Sequence, residues 1–173
     1  MIRQIALLLL IFWSFDNSNA EPPSKRQLFK TFKSSIVQDS KKWIDSSSSP
    51  WKICNQDSSF YNADTLLVYH STSEINNTNC CRYVTWTFYK KTSFIQSEVQ
   101  TCTEPSSGKV FSINDIFNIE ITNQNERTYL KTYQNGILVD TFNVLALKSI
   151  NKTDDSNKVK LLILSRFYPD LKK

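Results

Sequence analysis

Residues 81–102, CRYVTWTFYKKTSFIQSEVQTC, decide the fold of this chain. Aromatic and β-branched residues fill both halves of the stretch, and a short polar break separates them. Two runs of this composition and length predict two β-strands. Val84, Trp86 and Phe88 recur with the period of two that places side chains on one face of a strand. We expect that face to point into a core.

The same pattern continues through the chain after Pro50. Each run is bounded by Asn, Ser, Asp or Gly, and Asn135-Gly136 predicts a type I′ hairpin turn. Hairpin-linked strands in regular succession are typical of a barrel or a sandwich. We expect a mainly β fold, an eight-stranded antiparallel up-and-down barrel, because closure removes exposed strand edges. Together with a strand near Trp51, the predicted strands are Asp64–Ser71, Cys81–Lys90, Ser93–Cys102, Phe117–Thr122, Thr128–Gln134, Ile137–Ile150 and Val159–Phe167.

Helical character is confined to the segment before this strand region, Glu21–Asp45. Its apolar residues recur at three- and four-residue spacing, which predicts a short N-terminal helix with one buried stripe. That stripe consists of Leu28, Phe29, Phe32, Ile36 and Val37.

The first twenty residues resemble a cleaved secretory signal. Arg3 is followed by the apolar run Ile5–Trp13, and small residues end the segment at Ser18-Asn19-Ala20. A membrane anchor is the rival interpretation, but the run falls short of the ~20 residues that a spanning helix needs. We therefore predict a signal peptide at 1–20, a barrel domain at 21–173, and a secreted, extracellular, monomeric product without a membrane partner.

Four cysteines follow the signal segment: Cys54, Cys80, Cys81 and Cys102. An even count in an oxidising compartment predicts two disulfides. Adjacent cysteines are poorly placed to bridge each other. We expect Cys54 and Cys102 each to pair with one of the adjacent two, in either combination. A metal site is the rival interpretation, but one histidine and no CxxC pair disfavour it.

Charge and sequons describe the surface. The net charge is +5, with no basic run longer than two residues, so the sequence shows no clustered footprint for a nucleic acid. We therefore expect no nucleic-acid partner. The sequons at Asn76 and Asn151 predict glycosylation in polar stretches between strands.

The residues that catalysis needs are scarce. His70 is the single histidine, so a Ser-His-Asp or Cys-His arrangement would have to use it, and we expect it to be a rim residue of a strand. Two glycines exclude a Gly-rich phosphate loop. Glu98 and Glu120 could form a carboxylate pair, although solvent-facing strand positions explain them more simply. We predict a protein that is not an enzyme and needs no cofactor; haem would require His70 as its axial ligand.

Three motifs carry a resemblance to the lipocalins. Ile163–Leu171, ILSRFYPDL, resembles the last-strand motif, in which an Arg follows an apolar strand and precedes Pro. Asp140 and Asn143 resemble the D-x-x-N of the second motif. The first motif lacks its glycine in Lys41-Lys42-Trp43, but the segment from Lys42 to Trp51 resembles the passage from helix to first strand in tick salivary, histamine-binding-protein-like lipocalins. The adjacent cysteines are similar to those of the same group.

The resemblance implies a function as well as a fold. It implies that the Arg after the last strand, Arg166, packs on the Trp that opens the barrel. It also implies a salivary-type protein that sequesters a small host effector inside the barrel and so modulates host haemostasis or inflammation. The effector would be a biogenic amine such as histamine, an eicosanoid or another lipid. The alternative is a filled barrel whose surface inhibits a host protein of clotting or complement.

An eight-stranded barrel has room for packed side chains or for one small ligand. A ligand site of this kind has apolar walls and a few polar groups. An amine would need a carboxylate as well, and Glu98 shares its strand face with Gln96 and Gln100, which leaves its direction open. Aromatic residues of a strand are commonly plain core. The candidate wall residues are Trp51, Tyr69, Trp86, Phe88, Tyr129, Tyr133 and Phe142.

Overall fold

The computed structural model describes residues 21–36, 50–70, 80–102, 107–108, 112–151 and 158–168. Two α-helices lie in these ranges, α1 (Lys25–Ser34) and α2 (Ser59–Asn62), with 3-10 turns at Gln56–Ser58 and Ile113–Asp115. The strands are β1 (Trp51–Cys54), β2 (Thr65–His70), β3 (Arg82–Lys90), β4 (Ser93–Gln100), β5 (Ser107–Gly108), β6 (Ile116–Gln124), β7 (Arg127–Gln134), β8 (Ile137–Asn151) and β9 (Lys158–Arg166).

Eight of the strands close into a barrel. Their order is β3-β1-β2-β9-β8-β7-β6-β4, and β3 pairs with β4 to complete the ring. All the pairings are antiparallel. The short β5 pairs with β4 beside the ring. The predicted closed, eight-stranded antiparallel barrel is confirmed. In a strict up-and-down barrel, β1 would pair with β2 and with the last strand. Here β1 pairs with β2 and β3, and the last strand, β9, pairs with β2.

The strand registers define two ends of the barrel. Trp51 pairs with His70, and His70 pairs with Lys160, so these three residues lie at one end together with the β3–β4 turn. We call it the α1 end, because α1 packs there. The end of β1 and the starts of β2 and β3 lie at the opposite end. Both disulfides join the chain there, so we call it the disulfide end.

The helix α1 forms where the apolar stripe predicted it. Ser24 caps its first turn, since its hydroxyl accepts from the Gln27 backbone N–H while the Gln27 side chain accepts from the Ser24 N–H. Leu28 and Phe32, four residues apart, share one face and are fully buried. None of the helices in the described ranges has the length and apolarity to cross a membrane.

The hairpin between β7 and β8 forms at the predicted Asn-Gly turn. Asn135 and Gly136 have φ values of 51° and 80°, the left-handed region that a type I′ turn requires at both positions. All the predicted strands are confirmed, whereas α2 and β5 were not anticipated. The signal segment 1–20, Val37, Trp43 and Asn76 lie outside the described residues. Asn151 is the last residue of β8, so this sequon begins at a strand end.

The disulfides resolve the pairing that the sequence left open. Cys54 pairs with Cys80, and Cys81 pairs with Cys102. Each of the adjacent cysteines therefore bridges to a different strand, Cys80 to the end of β1 and Cys81 to the segment just after β4. No cysteine is free.

Removing the Cys54–Cys80 bridge is expected to lower the free energy of unfolding by about 2–4 kcal/mol, because the crosslink restricts a long loop of the unfolded chain. The measurement is urea denaturation of the double variant Cys54→Ser/Cys80→Ser against the wild type. Cys81→Ser/Cys102→Ser is the matched comparison, since its sequence separation is 21 residues against 26. A bridge whose removal left the urea midpoint unchanged would contradict the expectation.

Candidate binding site

The barrel interior is filled with aromatic rings. Four of the seven candidate wall residues face inward and are almost completely buried, as the period of two along β3 predicted for two of them. These four are Trp51, Trp86, Phe88 and Phe142. The other three, Tyr69, Tyr129 and Tyr133, lie on the opposite faces of their strands. The prediction that they line the interior is wrong.

The three tyrosines make contacts on the outside of the barrel. The Tyr133 hydroxyl donates to the Glu120 carboxylate on β6 at 2.8 Å, and this hydrogen bond raises the pKa of Tyr133. The Tyr129 ring packs edge-on against Phe167, 5.4 Å between centroids. Tyr69 lines a groove of about 410 Å³ beside the Cys54–Cys80 bridge. Threonine and leucine take the inward positions of β7 instead, with Leu130 fully buried.

The interior also holds rings that were not among the predicted wall residues. Phe94 on β4 is fully buried and contacts Trp86 at 4.8 Å, Phe88 at 5.4 Å and Phe117 at 5.4 Å between ring centroids. These contacts continue across the barrel to Phe142, 6.2 Å from Trp86. The alternation of β4 gave no signal for Phe94, because its strand face is shared with Gln96, Glu98 and Gln100 while Ile95 and Val99 lie on the other face. Together these aromatic rings form one connected cluster in the middle of the barrel.

At the α1 end, Phe32 of α1 closes this cluster. Its ring stacks on Phe88 with 4.4 Å between centroids and meets Trp51 edge-on at 5.6 Å. The side chain is 0 % exposed. Phe32 therefore occupies the space at the mouth through which a ligand would enter from this end.

Hydrogen bonds from the barrel hold α1 in this position. Trp51 Nε1 donates to Ser35 Oγ at 3.2 Å, and Lys160 Nζ donates to Ser34 Oγ at 2.8 Å. Thr128 Oγ1 donates to the Pro23 carbonyl at 2.8 Å, just before the helix. Burial lowers the pKa of Lys160. The helix is thus fixed at both of its ends.

At the disulfide end, Phe60 of α2 closes the cluster from the other side. It is 3 % exposed and meets Trp86 edge-on at 6.5 Å. The Asn55 side chain accepts from the Phe60 backbone N–H at 3.0 Å. The Arg166 guanidinium lies over two rings, 5.5 Å from the centroid of Phe60 and 5.3 Å from that of Phe142. Both mouths of the barrel are therefore filled by a phenylalanine from a helix.

Arg166 is the polar centre of the disulfide end. Its guanidinium donates to the Phe60 carbonyl and forms an ion pair with Asp140. Burial raises the pKa of Asp140, although the charge of Arg166 and its hydrogen bond act in the opposite direction. Two residues that carried the family resemblance, Asp140 and Arg166, thus contact each other.

Arg166 does not pack on the tryptophan that opens the barrel. Trp51 lies in register with Lys160, which is six residues before Arg166 on β9. At about 3.3 Å per residue, Arg166 is therefore about 20 Å along the strand from the level of Trp51. Phe60 and Phe142 take the place of that tryptophan. The packing that the family resemblance implied for this arginine is therefore wrong for this chain.

His70 is the last residue of β2, at the rim of the α1 end, and its side chain points into the barrel. It is buried, and its ring lies 4.9 Å from that of Trp51. Within the part of the chain that the structure describes, no three His, Cys, Asp or Glu side chains come together as a metal site. The surroundings of His70 are those of a core residue at the α1 end.

Glu98 lies at the disulfide end. It is on the same face of β4 as Phe94 and Gln96, so that face points inward, and the Gln96 amide oxygen accepts from Trp86 Nε1 at 3.1 Å. Glu98 itself is exposed and accepts from the Tyr61 hydroxyl at 2.6 Å. Burial and this hydrogen bond raise the pKa of Tyr61 to about 12. A carboxylate therefore stands at the rim of the interior.

Comparison of the chain with known protein families, with curated proteins and with solved structures finds no significant match. The geometry of the site is an aromatic interior with a helix over each mouth.

Proposed function

We propose that this protein is a non-catalytic binding protein whose barrel is a filled scaffold and whose partner docks on the outer surface. The observation that carries the proposal is the pair of plugs, Phe32 and Phe60, one at each mouth of the aromatic interior. Protein interiors are close-packed, so a ligand would have to displace one of these side chains. A drug-sized ligand needs about 300–1,000 Å³.

The outer face of β2 and β9 supports a partner outside the barrel. Leu67 pairs with Ile163 and Tyr69 pairs with Leu161, and all four lie on this outer face. Leu67 is 43 % exposed. An antiparallel strand that faces water usually alternates apolar and polar residues, so an apolar outer face indicates contact with another protein. We propose that this partner is a host protein of clotting or complement, the class that the family resemblance offers.

We further propose that the protein is secreted and belongs near the salivary lipocalins. Two disulfides suit an oxidising compartment, and the first twenty residues have the pattern of a signal peptide. The closed barrel and the position of Arg166 as the last residue of its last strand support the kinship. The buried position of His70 and the absence of a free thiol support a role without catalysis.

A small ligand inside the barrel is the second candidate function. The ligand would be a biogenic amine, an eicosanoid or another lipid. The observation that favours an amine is Glu98, a carboxylate at the rim on the same strand face as Phe94 and Gln96. Aromatic faces and a carboxylate are what an ammonium ligand needs. For this function α2 would have to move away from the disulfide end.

Titration of the purified wild-type protein with histamine, serotonin and arachidonic acid is expected to leave its tryptophan fluorescence without saturable change. Trp51 and Trp86 lie inside the barrel and would report a ligand there. Truncation of the plug in Phe32→Ala should create a cavity that binds a small apolar probe such as benzene, because apolar cavities of that size stay dry and accept such molecules. Phe29→Ala is the matched control, since its ring lies half-buried on the same helix.

Two outcomes would separate the candidate functions. Saturable quenching of the wild type near one equivalent would overturn the filled barrel. If histamine gave that signal and Glu98→Gln removed it, the interior amine site would replace the proposal. Because the wild-type titration stands alone, it remains decisive even if Phe32→Ala does not fold.

A further inference from the structure

Five cations gather at the α1 end of the barrel. Acids and bases are interleaved along the sequence, and no cluster was predicted from it. The fold nevertheless brings basic residues from two separate segments to one shallow groove of about 620 Å³. We call this surface the basic face; it is lined by Lys25, Arg26, Phe29, Lys30, Lys33 and Lys91.

Two cations of the basic face lie near one aromatic ring. Lys25 Nζ on α1 and Lys91 Nζ from the β3–β4 turn lie 5.8 and 5.9 Å from the centroid of Phe29. Ammonium groups at this distance are attracted to the ring. Along the helix, the eight steps from Lys25 to Lys33 span about 12 Å. The face is thus a short row of cations with a second element beside it.

Local stability does not explain this arrangement. Helix α1 contains no acidic residue, and two of its cations, Lys25 and Arg26, occupy the first turn. The macrodipole favours acidic side chains at that position and disfavours basic ones. Among the residues that the structure describes, no acidic side chain forms an ion pair with any of the five cations. Glu21 precedes the helix and Glu126 lies in the β6–β7 turn. Both side chains are exposed.

The acidic residues lie mostly at the other end of the barrel. In the described ranges, the disulfide end and its neighbouring turns carry Asp57, Asp64, Glu98, Asp115 and Asp140. Among the described residues, cations are therefore concentrated at the α1 end and acids at the disulfide end, although Arg82 and Arg166 also lie at the latter. Such a separation orients the α1 end toward a negatively charged surface.

We propose that the basic face binds a linear sulfated polysaccharide. A row of cations on a shallow surface complements a chain of regularly spaced sulfates, and clustered basic residues are the known pattern of heparin-type sites. The inference goes beyond the proposed function, because it concerns a different surface and holds whether or not the barrel is filled. It would retain the protein on an extracellular matrix or cell surface.

Two other polyanions fit the surface less well. A membrane would require an apolar anchor, but Leu28 and Phe32 of α1 are turned into the barrel. A single-stranded nucleic acid would stack its bases on an aromatic face, but two ammonium groups already lie over the ring of Phe29. Sulfates need only the cations themselves.

The test is calorimetric titration of the purified protein with a heparin octasaccharide at low and physiological salt. The triple variant Lys25→Gln/Arg26→Gln/Lys33→Gln should bind at least roughly tenfold more weakly, since three of the charge contacts are lost. Lys52→Gln/Arg82→Gln/Lys131→Gln removes the same charge from elsewhere on the barrel and should change the affinity less than about twofold. Far-UV circular dichroism and thermal unfolding check that both variants fold.

Several results would overturn the proposal. Equal losses in the two triple variants would show that only the net charge matters. Equal binding of a desulfated octasaccharide would remove the role of sulfate. Tighter binding of a single-stranded DNA or of phosphatidylserine vesicles would assign the face to that partner instead. The fluorescence titration reports on the barrel interior, whereas the heparin titration reports on the outer face of α1. Failure of one proposal therefore leaves the other unaffected.

Discussion

Replacing Trp86 with alanine is expected to lower the free energy of unfolding by about 3–5 kcal/mol, the usual cost of truncating a large buried ring. Trp86 is 1 % exposed and contacts the rings of Phe60, Phe94 and Phe142. It therefore joins the plug of the disulfide end to the middle of the barrel. The substitution also leaves the Gln96 amide oxygen without its indole donor.

The control for this prediction is Tyr129→Ala. Both residues are large aromatics of predicted strands, but Tyr129 lies on the outer face and contacts Phe167. We expect a cost of no more than about 1 kcal/mol, since substitutions away from the core have small effects. Urea denaturation followed by circular dichroism gives both values without relying on tryptophan emission. Equal losses for the two variants would contradict the assignment of inside and outside faces.

The strands of this fold were predictable from the sequence because their signals are local. Runs of β-branched and aromatic residues predicted the eight barrel strands, and the Asn-Gly pair predicted the turn between β7 and β8. The apolar spacing of Leu28 and Phe32 likewise predicted α1. Each signal lies within a few residues, so it does not depend on what the rest of the chain does.

The direction of the side chains was harder to predict. In β7, RTYLKTYQ, one face carries two tyrosines with Lys131 and the other carries two threonines with Leu130. Aromatic character favoured the tyrosine face as the interior. The structure places the threonine face inside, because Phe94, Phe142 and Trp86 already fill the barrel from other strands. The size of the side chains that fit inside the barrel from one strand depends on the interior volume already filled by side chains of distant strands.

The plugs and the basic face depend on distant residues in the same way. Phe60 lies in a helix of only four residues, which the sequence did not predict. Lys91 reaches Phe29 from a turn more than fifty positions further along the chain. No local sequence pattern predicts such contacts between residues that are distant in the chain. The candidate site could therefore be predicted as an aromatic barrel interior, but its closure by two helices could not.

Replacing Arg166 with methionine should lower the free energy of unfolding at pH 7 by about 3 kcal/mol, because breaking a buried ion pair leaves one charge without its partner. Methionine retains the unbranched stem of the side chain and lacks the guanidinium group. It removes the charge that faces Asp140, the hydrogen bond to the Phe60 carbonyl and the cation–π contacts with Phe60 and Phe142. The side chains of Arg166 and Asp140 are 8 % and 26 % exposed, so water screens the pair only partly.

This loss should depend on pH. Burial already raises the pKa of Asp140 above 3.8, and Arg166 opposes that rise. Without Arg166, the folded-state pKa moves further up. A raised carboxyl pKa gives stability that is present below 3.8 and is lost as the pH rises through the folded-state pKa. The deficit of Arg166→Met relative to wild type should therefore be larger at pH 7 than at pH 4.

Asp140→Asn is the matched partner for this experiment, because the amide has the shape of the carboxylate without its charge. Adding it to Arg166→Met should recover part of the stability at pH 7 and little at pH 4. Urea denaturation of the wild type, both single variants and the double variant at the two pH values gives the coupling directly. If the deficit of Arg166→Met were the same at pH 4 and pH 7, Asp140 would not be the charge that Arg166 neutralises. The arginine would then hold α2 and the end of β9 together only through its contacts with Phe60 and Phe142.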